Sequence, residues 1–457
     1  MNLLAKSNSA LSGEVLCPGD KSISQRIVII GSLVNEDISI KGFLNGEDPK
    51  STAMALNQIG SSIKINGTNA YISKRDVPFI SPKSSVDLGN SGTGIRLLMG
   101  LISSLNIRTT LVGDESLSKR PMLRVANPLN EMGANVECSE GTPPIQIQKG
   151  NIKDNFLYDM PVASAQVKSS IILAALAANK KVTVIEKHPT RNHTERMINY
   201  FGGSIDQIKK GSGNSIALQS SKLSKKTSYE VVGDFSSAAF LIVAGLIAKE
   251  SNILIKNVGL NPTRSGLIKV LQSMGGEIEI INQSIVCNEE VGDVSVRSSK
   301  LKGVDIGGDI IPNIIDEIPI LSIAASFANG SSTIKDAAEL RVKESDRLAA
   351  ISDGLSQIKI KHELFEDGIK IQGEENDITG RPEIDSFGDH RIAMSFLIAS
   401  LRSENGIFVK DCKNILTSFP NFLETMNKLG LEVNETEYCN DRWTFGIWQR
   451  LFVQKHS

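Results

Sequence analysis

Cysteine is sparse and unpaired in this chain: Cys17, Cys138, Cys287, Cys412 and Cys439 stand apart, and no two form a C-x-x-C pair. An odd, scattered set argues against a disulfide framework and suits free thiols in a reducing, cytoplasmic setting. The five histidines fall in no H-E-x-x-H or comparable spacing, so no metal centre is expected. Neither sign of charge is in excess, with 50 basic and 51 acidic residues and a net charge of −1. That balance argues against a nucleic-acid-binding surface, which shows a basic excess. No apolar run approaches the roughly 18–20 residues needed to span a bilayer. The opening MNLLAKSNSALSGEV also lacks the hydrophobic segment of a signal peptide, so none is expected. What remains is a globular composition, 40% hydrophobic and 22% charged over 457 residues, which predicts two to three domains.

Against this plain background a repeat stands out. Six times a polar residue opens an apolar run of helical length: Asp20 (GDKSISQRIVII), Asn90 (NSGTGIRLLMGL), Ser164 (SAQVKSSIILAAL), Asp234 (DFSSAAFLIVAGL), Asp316 (DEIPILSIAASF) and Asp389 (DHRIAMSFLIAS). The steps between them are 70, 74, 70, 82 and 73 residues. Asp, Asn and Ser are favoured N-caps because their oxygens accept the free N–H groups of the first turn. A helix N-terminus also attracts anions, through unpaired N–H donors and the positive end of its dipole. Six such starts facing one point would form a pocket for a multiply charged anion.

A second signal has the same period. A helix ending in apolar-Gly, followed by alternating residues, occurs at LNQIGSSIKI (56–65), LNEMGANVEC (129–138), INYFGGSIDQ (198–207), LQSMGGEIEI (271–280) and MNKLGLEVNE (426–435). A degenerate copy, LSQIKIKHEL, fills 355–364. Glycine past a helix supplies a left-handed C-cap, and the alternation after it reads as a strand. Each unit therefore holds an apolar helix, strands, a second amphipathic helix and a further strand. Three units per half predict two similar domains, 20–232 and 233–437, with the segment 1–19 joining the second half. Polar stretches at 81–85, 209–215 and 220–228 read as exposed turns. Residues 438–457, which contain both tryptophans, form an extension beyond the sixth unit.

Chemistry-bearing residues cluster at the helix starts. PGDKSISQR puts Lys21 and Ser22 in a first turn and Arg26 one turn on, on the face shared by residues four apart. LGNSGTGIR lets the backbone approach an oxyanion at Gly92 and Gly94, with Thr93 and Arg96 beside them. Arg120, followed by proline, is predicted to be extended, and Arg124 comes soon after. SAQVKSS offers Ser164, Gln166 and Lys168, and TRNHTER offers Arg191. IIDEIP sets Asp316 and Glu317 before an apolar helix, one of them as its cap. ELRVKESDRL places Lys343 and Arg347 four apart, on one face if helical, with Glu344 beside them. A carboxylate between cations is a candidate general acid or base. DHR adds His390 and Arg391.

PGDKSISQR, LGNSGTGIR, KRP, SAQVKS, RNHTE, IDEIP, LRVKESDR, DHR and TSFP, in that order, resemble the 5-enolpyruvylshikimate-3-phosphate synthase family over roughly residues 10–435. SAQVKS, RNHTE and IDEIP look more like the family's second class than its first. The resemblance implies an α/β fold of two domains, each of three βαβαββ units, closing around the ligands. It implies transfer of the enolpyruvyl group of phosphoenolpyruvate to the 5-hydroxyl of shikimate 3-phosphate, with release of phosphate and no metal or organic cofactor. The partners are then the two small molecules, with no nucleic acid or membrane, and the chain is expected to be a monomer. Carried over residue by residue, Lys21, Ser22, Arg26, Ser164, Ala165, Gln166, Arg191, Asp316 and Lys343 would bind shikimate 3-phosphate. Lys21, Gly92, Arg120, Gln166, Arg347 and Arg391 would bind phosphoenolpyruvate, and Asp316, Glu344 and Lys21 would serve catalysis.

Two departures bear on ligands. Thr417 stands where the family's first class has a lysine before its TFP element. Gly92 is retained where glyphosate-tolerant second-class enzymes tend to carry alanine, so glyphosate is expected to compete with phosphoenolpyruvate. Three rival readings are disfavoured by the residues. The sister enzyme acting on UDP-N-acetylglucosamine uses a cysteine-bearing loop, and segment 108–124 has no cysteine. An RNA 3'-phosphate cyclase-like activity is opposed by the neutral charge. A dead homologue is opposed by the presence of Lys21, Asp316 and Glu344.

Overall fold

The computed structural model describes residues 1–7, 10–223 and 226–436. Along the chain the helices run α1 (Lys21–Gly31), α2 (Glu47–Gln58), α3 (Gly92–Ser103), α4 (Leu123–Glu131), α5 (Ala165–Ala178), α6 (His193–Tyr200), α7 (Phe235–Ile247), α8 (Gly266–Ser273), the one-turn α9 (Ile311–Ile314), α10 (Ile318–Ser326), α11 (Arg347–Gln357), α12 (His390–Ala399) and α13 (Phe422–Leu429). Six four-stranded sheets accompany them. The second unit shows the pattern: strand Val86–Asp87, α3, strand Thr109–Val112, α4, then strands Asn135–Ser139 and Thr142–Gln148. The first two strands pair in parallel across α3, and the other pairings are antiparallel. The architecture is mixed α/β, with the helix-and-strand units read from the repeat and the βαβαββ order that the resemblance implies.

Three units borrow a strand. Ser228–Glu230 lies parallel to Ile38–Lys41 and completes the first sheet. Leu11–Leu16 lies parallel to Ser251–Gly259 and completes the fourth. Leu3–Ser7 fits between Ile407–Lys410 and Leu431–Glu435 in the sixth. Two buried cores result. One runs from Ile23 to Val232 and takes in Val291. The other joins Leu3, Leu11 and Val15 to residues from Phe235 to Val433. These are called the first and second lobes below.

Of the helices that open the units, α7 and α10 carry no charged side chain because they fill the centre of the second lobe. Every residue of α7 and of α10 is buried. Burying each such Leu or Ile contributes about 1.5–3 kcal/mol. The backbones of α3 and α5 meet at Gly100, where a methyl group would lie 2.1 Å from the Ser170 carbonyl oxygen. The two chain crossings between lobes run side by side: Asp20 N–H donates to the Val232 carbonyl (2.8 Å) and Asp234 N–H to the Pro18 carbonyl (2.7 Å). Gly19 is required there, since a Cβ would fall 1.8 Å from the Gly42 oxygen.

The caps differ from expectation at two starts. Ser91, not Asn90, caps α3 by accepting from Gly94 N–H, and the Asn90 amide instead reaches Asp114 and Arg120. Neither Asp316 nor Glu317 caps α10, because a 3-10 turn at Ile315–Glu317 leads directly into the helix. Asp20, Ser164, Asp234 and Asp389 cap as expected. The degenerate copy keeps its geometry, with Lys359 at φ 62° where the other units have glycine. Of the polar stretch 209–215 only Gly211 and Ser212 form a turn; the rest belongs to the paired strands Ser204–Lys210 and Gly213–Ser220, with Gly213 and Asn214 buried. The extension 438–457 lies outside the described residues.

Candidate active site

Two connected clefts lie between the lobes. The outer one, of about 600 Å³, is lined by Ser164, Ala165, Gln166, Arg191 and Arg124 of the first lobe and by Asp316, Glu339 and Lys343 of the second. The inner one, of about 90 Å³, shares Arg124, Gln166, Arg191, Asp316 and Lys343 with it. All six opening helices reach the inner wall: Lys21 from α1, Gly92 from α3, Gln166 from α5, Asp234 capping α7, Asp316 before α10, and Arg391 from α12. The wall carries nine Lys or Arg side chains and four carboxylates, a surplus of five positive charges added to the six helix dipoles.

The centre is a web of ion pairs. Arg347, 1% exposed, donates to Asp389 (2.8 Å), Asp316 (3.2 Å) and Glu344 (2.6 Å). Arg391 donates to the Asp316 carbonyl at 2.7 Å. Lys343 lies 3.6 Å from Asp316 and 3.1 Å from Glu339. From the first lobe, Arg191 donates to Asp316, and Arg120 approaches Glu344 at 3.7 Å. Arg124 meets Glu339 at 3.4 Å. Three arginines of one lobe thus grip three carboxylates of the other. Burial alone would raise the pKa of Asp316 and Glu344. The surrounding cations, Lys343 and Arg191 for one and Arg347 and Arg120 for the other, hold both well below the carboxylate range instead.

The anticipated residues are distributed unevenly. Lys21 opens α1 and donates to Asp48 at 3.0 Å. Ser22 lies beside it on the inner wall. Arg26 lines neither cleft; it is buried against Thr194 (2.9 Å) and Ser169 (3.2 Å) and donates to the Ser22 carbonyl. Gln166 accepts from Arg96 (2.9 Å) and donates to Thr93 (2.9 Å). Arg120 is extended before Pro121, at φ −80° and ψ 138°. Lys343, Glu344 and Arg347 do not share a helical face. A 3-10 turn ends at Val342 and α11 begins at Arg347, so an irregular turn presents all three to the cleft. Lys168 is absent from both clefts: fully buried, it pairs with Glu186 (2.9 Å) and Glu195 (2.8 Å).

Two charged residues of the inner wall escaped the sequence reading. Asp48 belongs to the first turn of α2, and attention to the apolar helices alone passes over it. Arg264 precedes α8 and is 3% exposed. Its signal was present, because Pro262-Thr263-Arg264 repeats the Pro189-Thr190-Arg191 of the preceding unit.

Known proteins resemble this chain in sequence and fold. The sequence model for EPSP synthase (3-phosphoshikimate 1-carboxyvinyltransferase) matches residues 5–426. A 3-phosphoshikimate 1-carboxyvinyltransferase of Ruthia magnifica subsp. Calyptogena magnifica is 44% identical over 434 residues, 94% of this chain and 98% of that protein. One from Legionella pneumophila (strain Lens) is 43% identical over 443 residues, 95% of this chain and 99% of that protein. The solved EPSP synthase from Acinetobacter baumannii superposes with a TM-score of 0.83 at 38% identity, covering 96% of this chain and all of that one. The enolpyruvyl transferase NikO from Streptomyces tendae shares the fold at a TM-score of 0.74 and 14% identity, over 96% of this chain and 99% of that one. With a family match over nearly its whole length and relatives above 40% identity, this chain belongs to the EPSP synthase family.

Proposed function

We propose that the two clefts together transfer the enolpyruvyl group of phosphoenolpyruvate to the 5-hydroxyl of shikimate 3-phosphate, releasing phosphate, as a step of aromatic amino acid biosynthesis. The position of Asp316 carries this reading. Its carboxylate stands where the clefts meet, ringed by Arg191 of one lobe and Lys343 and Arg347 of the other. The outer cleft, with Ser164, Ala165, Gln166, Arg191 and Lys343, suits shikimate 3-phosphate. Ser22 adjoins it from the inner wall, and Arg26, donating to the Ser22 carbonyl, supports Ser22 from behind. The inner cleft, with Lys21, Gly92, Arg120, Arg347 and Arg391, suits the smaller phosphoenolpyruvate. Its surplus of positive charge matches the carboxylate and phosphate groups of the two substrates.

In this reading the 5-hydroxyl adds to C2 of phosphoenolpyruvate, giving up its proton to a carboxylate, while C3 accepts a proton. The tetrahedral adduct then loses the C3 proton and expels phosphate toward the cations, which stabilise the departing charge. Asp316 and Glu344 are the proton-transfer groups, with Lys21 beside them. Both carboxylates are ionised in the ligand-free cleft. Substrate anions offset the cations that depress them and raise their pKa values, so one can carry a proton to C3. Domains of 20–232 and of 1–19 with 233–437 fit the two cores, and residues 438–457 are an extension. A monomer in a reducing cytoplasm suits the free thiols of the four described cysteines.

The direct test is phosphate release on mixing the protein with phosphoenolpyruvate and shikimate 3-phosphate. Release is expected with that pair. Release with UDP-N-acetylglucosamine in place of shikimate 3-phosphate, and none with the first pair, would overturn the assignment. Glu344→Gln should bind both substrates with little change in affinity yet lose at least tenfold in kcat. Near-normal turnover would remove Glu344 from the proton transfers.

A further inference from the structure

The start of α7, DFSSAAF, brings no cation of its own. The structure supplies one from the turn that precedes α8. Arg264 is 3% exposed, lines the inner cleft, and donates through Nη2 to Asp234 Oδ1 (3.0 Å) and Ser236 Oγ (2.7 Å). Ser236 Oγ in turn donates to Glu317 and accepts from Arg391 Nη2 at 3.1 Å. Glu317, 1% exposed, lies 3.4 Å from Arg391 and 3.8 Å from Arg264. Two guanidiniums therefore share one hydroxyl and one carboxylate, and only Arg391 also reaches Asp316, at its carbonyl oxygen. Burial opposes the charge on Arg264, but Glu317 and Asp234 outweigh it and keep the group protonated.

We propose that Arg264 is a positioning residue for phosphoenolpyruvate binding, acting through Ser236 and Glu317 to hold the Arg391 guanidinium toward the inner cleft. The inference rests on the assignment of phosphoenolpyruvate to that cleft. Without Arg264, Ser236 loses a donor that fixes its orientation and Glu317 loses a nearby cation, and Arg391 gains freedom to turn toward Glu317. Shikimate 3-phosphate, bound in the outer cleft, feels none of this. The repeat gives the device a simple origin: Arg191 and Arg264 occupy the same place in successive units, Arg191 lining both clefts and Arg264 the inner one.

The test compares Arg264→Gln and Arg264→Lys with the unaltered full chain. Arg264→Gln should raise KM for phosphoenolpyruvate at least tenfold and leave the Kd of shikimate 3-phosphate, titrated alone, within twofold. Arg264→Lys, which keeps the charge and a donor for Ser236, should fall between the two. In an Arg391→Lys background, Arg264→Gln should add less than twofold to the same KM, because its route of action is already broken. Multiplicative losses in the double variant, an unchanged KM, or equal losses for both substrates would overturn the proposal. If Arg264→Gln does not fold, Arg264→Lys alone and in the Arg391→Lys background decides by the same criteria. If the unaltered protein releases no phosphate from the substrate pair, the reading of the cleft fails, whatever Arg264 does.

Discussion

At Gly92 a methyl group would sit 2.7 Å from Arg120 Nη1 and 3.4 Å from Arg96 Nη1. The first collision is thus with a guanidinium of the site itself, before any ligand arrives. Gly92→Ala should push Arg120 off its rotamer at a cost of about 0.5–1.5 kcal/mol. KM for phosphoenolpyruvate is then expected to rise about 2–10-fold, with glyphosate inhibition weakened at least as much; steady-state kinetics with both compounds checks this. His390, 3% exposed, gives a pH prediction. Burial, with Lys21 and Arg391 close by, holds its pKa well below 6.5. Below about pH 6.5 the unfolded chain binds a proton there that the folded chain refuses, so stability falls as pH drops. His390→Asn should remove up to about 1.4 kcal/mol per pH unit of that slope. Urea unfolding at about pH 5 and about pH 7.5 measures it, and equal slopes in the two proteins would rule it out.

Among the elements, the second helix of each unit carries a feature that the glycine signal only hinted at. Asn57, Asn130, Asn199 and Asn427 each clamp the residue six positions on, donating to its carbonyl and accepting from its N–H. In the fourth unit Gln272 makes half of this clamp, donating to the Ile278 carbonyl. In the fifth the position is Ser356, whose hydroxyl bonds back to Ser352 instead. That unit also holds the left-handed position with Lys359. Lys359→Gly should therefore stabilise the protein by roughly 1 kcal/mol, the left-handed cost of a residue with a Cβ; thermal unfolding of the variant, with a lower melting temperature as the contrary result, tests it. Most of the fold was legible because cap, apolar run and glycine recur at a fixed period. The site was legible where a cation lay inside an opening helix, as at Lys21 and Arg391. It was obscured where tertiary contacts chose among local options. Ser91 outcompeted Asn90 as cap, a 3-10 turn freed Asp316 for the cleft, and a salt-bridged pocket withdrew Lys168 from it.

For the whole molecule, the lobes are joined by more than the two crossings. The hairpin of strands Glu277–Val286 and Glu289–Arg297 reaches from the second lobe to α6 of the first. There Arg196 donates to Glu290 (2.6 and 3.1 Å) and to the Asn288 carbonyl (2.6 Å), and His193 meets Glu289 at 2.7 Å. Because α6 follows directly on Arg191, this strap ties the inter-lobe angle to a cleft residue. The second lobe also depends on the first residues of the chain. Leu3 and Ala5 are fully buried, and the Met1 carbonyl accepts from Cys412 N–H. Deleting residues 1–7 should split the sixth sheet and expose the second lobe to proteolysis, while the first lobe stays resistant. Equal resistance of both lobes would show the strand to be dispensable.

That borrowed strand has a consequence in time. During synthesis residues 3–7 emerge first, but their neighbours 407–410 and 431–435 emerge last. At about 5–20 residues per second the strand waits on the order of 20–90 s for its partners. The first lobe has all its strands once residue 230 is out, so the growing chain carries one finished half and one dangling leader. Until the last sheet is ready to receive it, Leu3–Ser7 has neither of its strand partners.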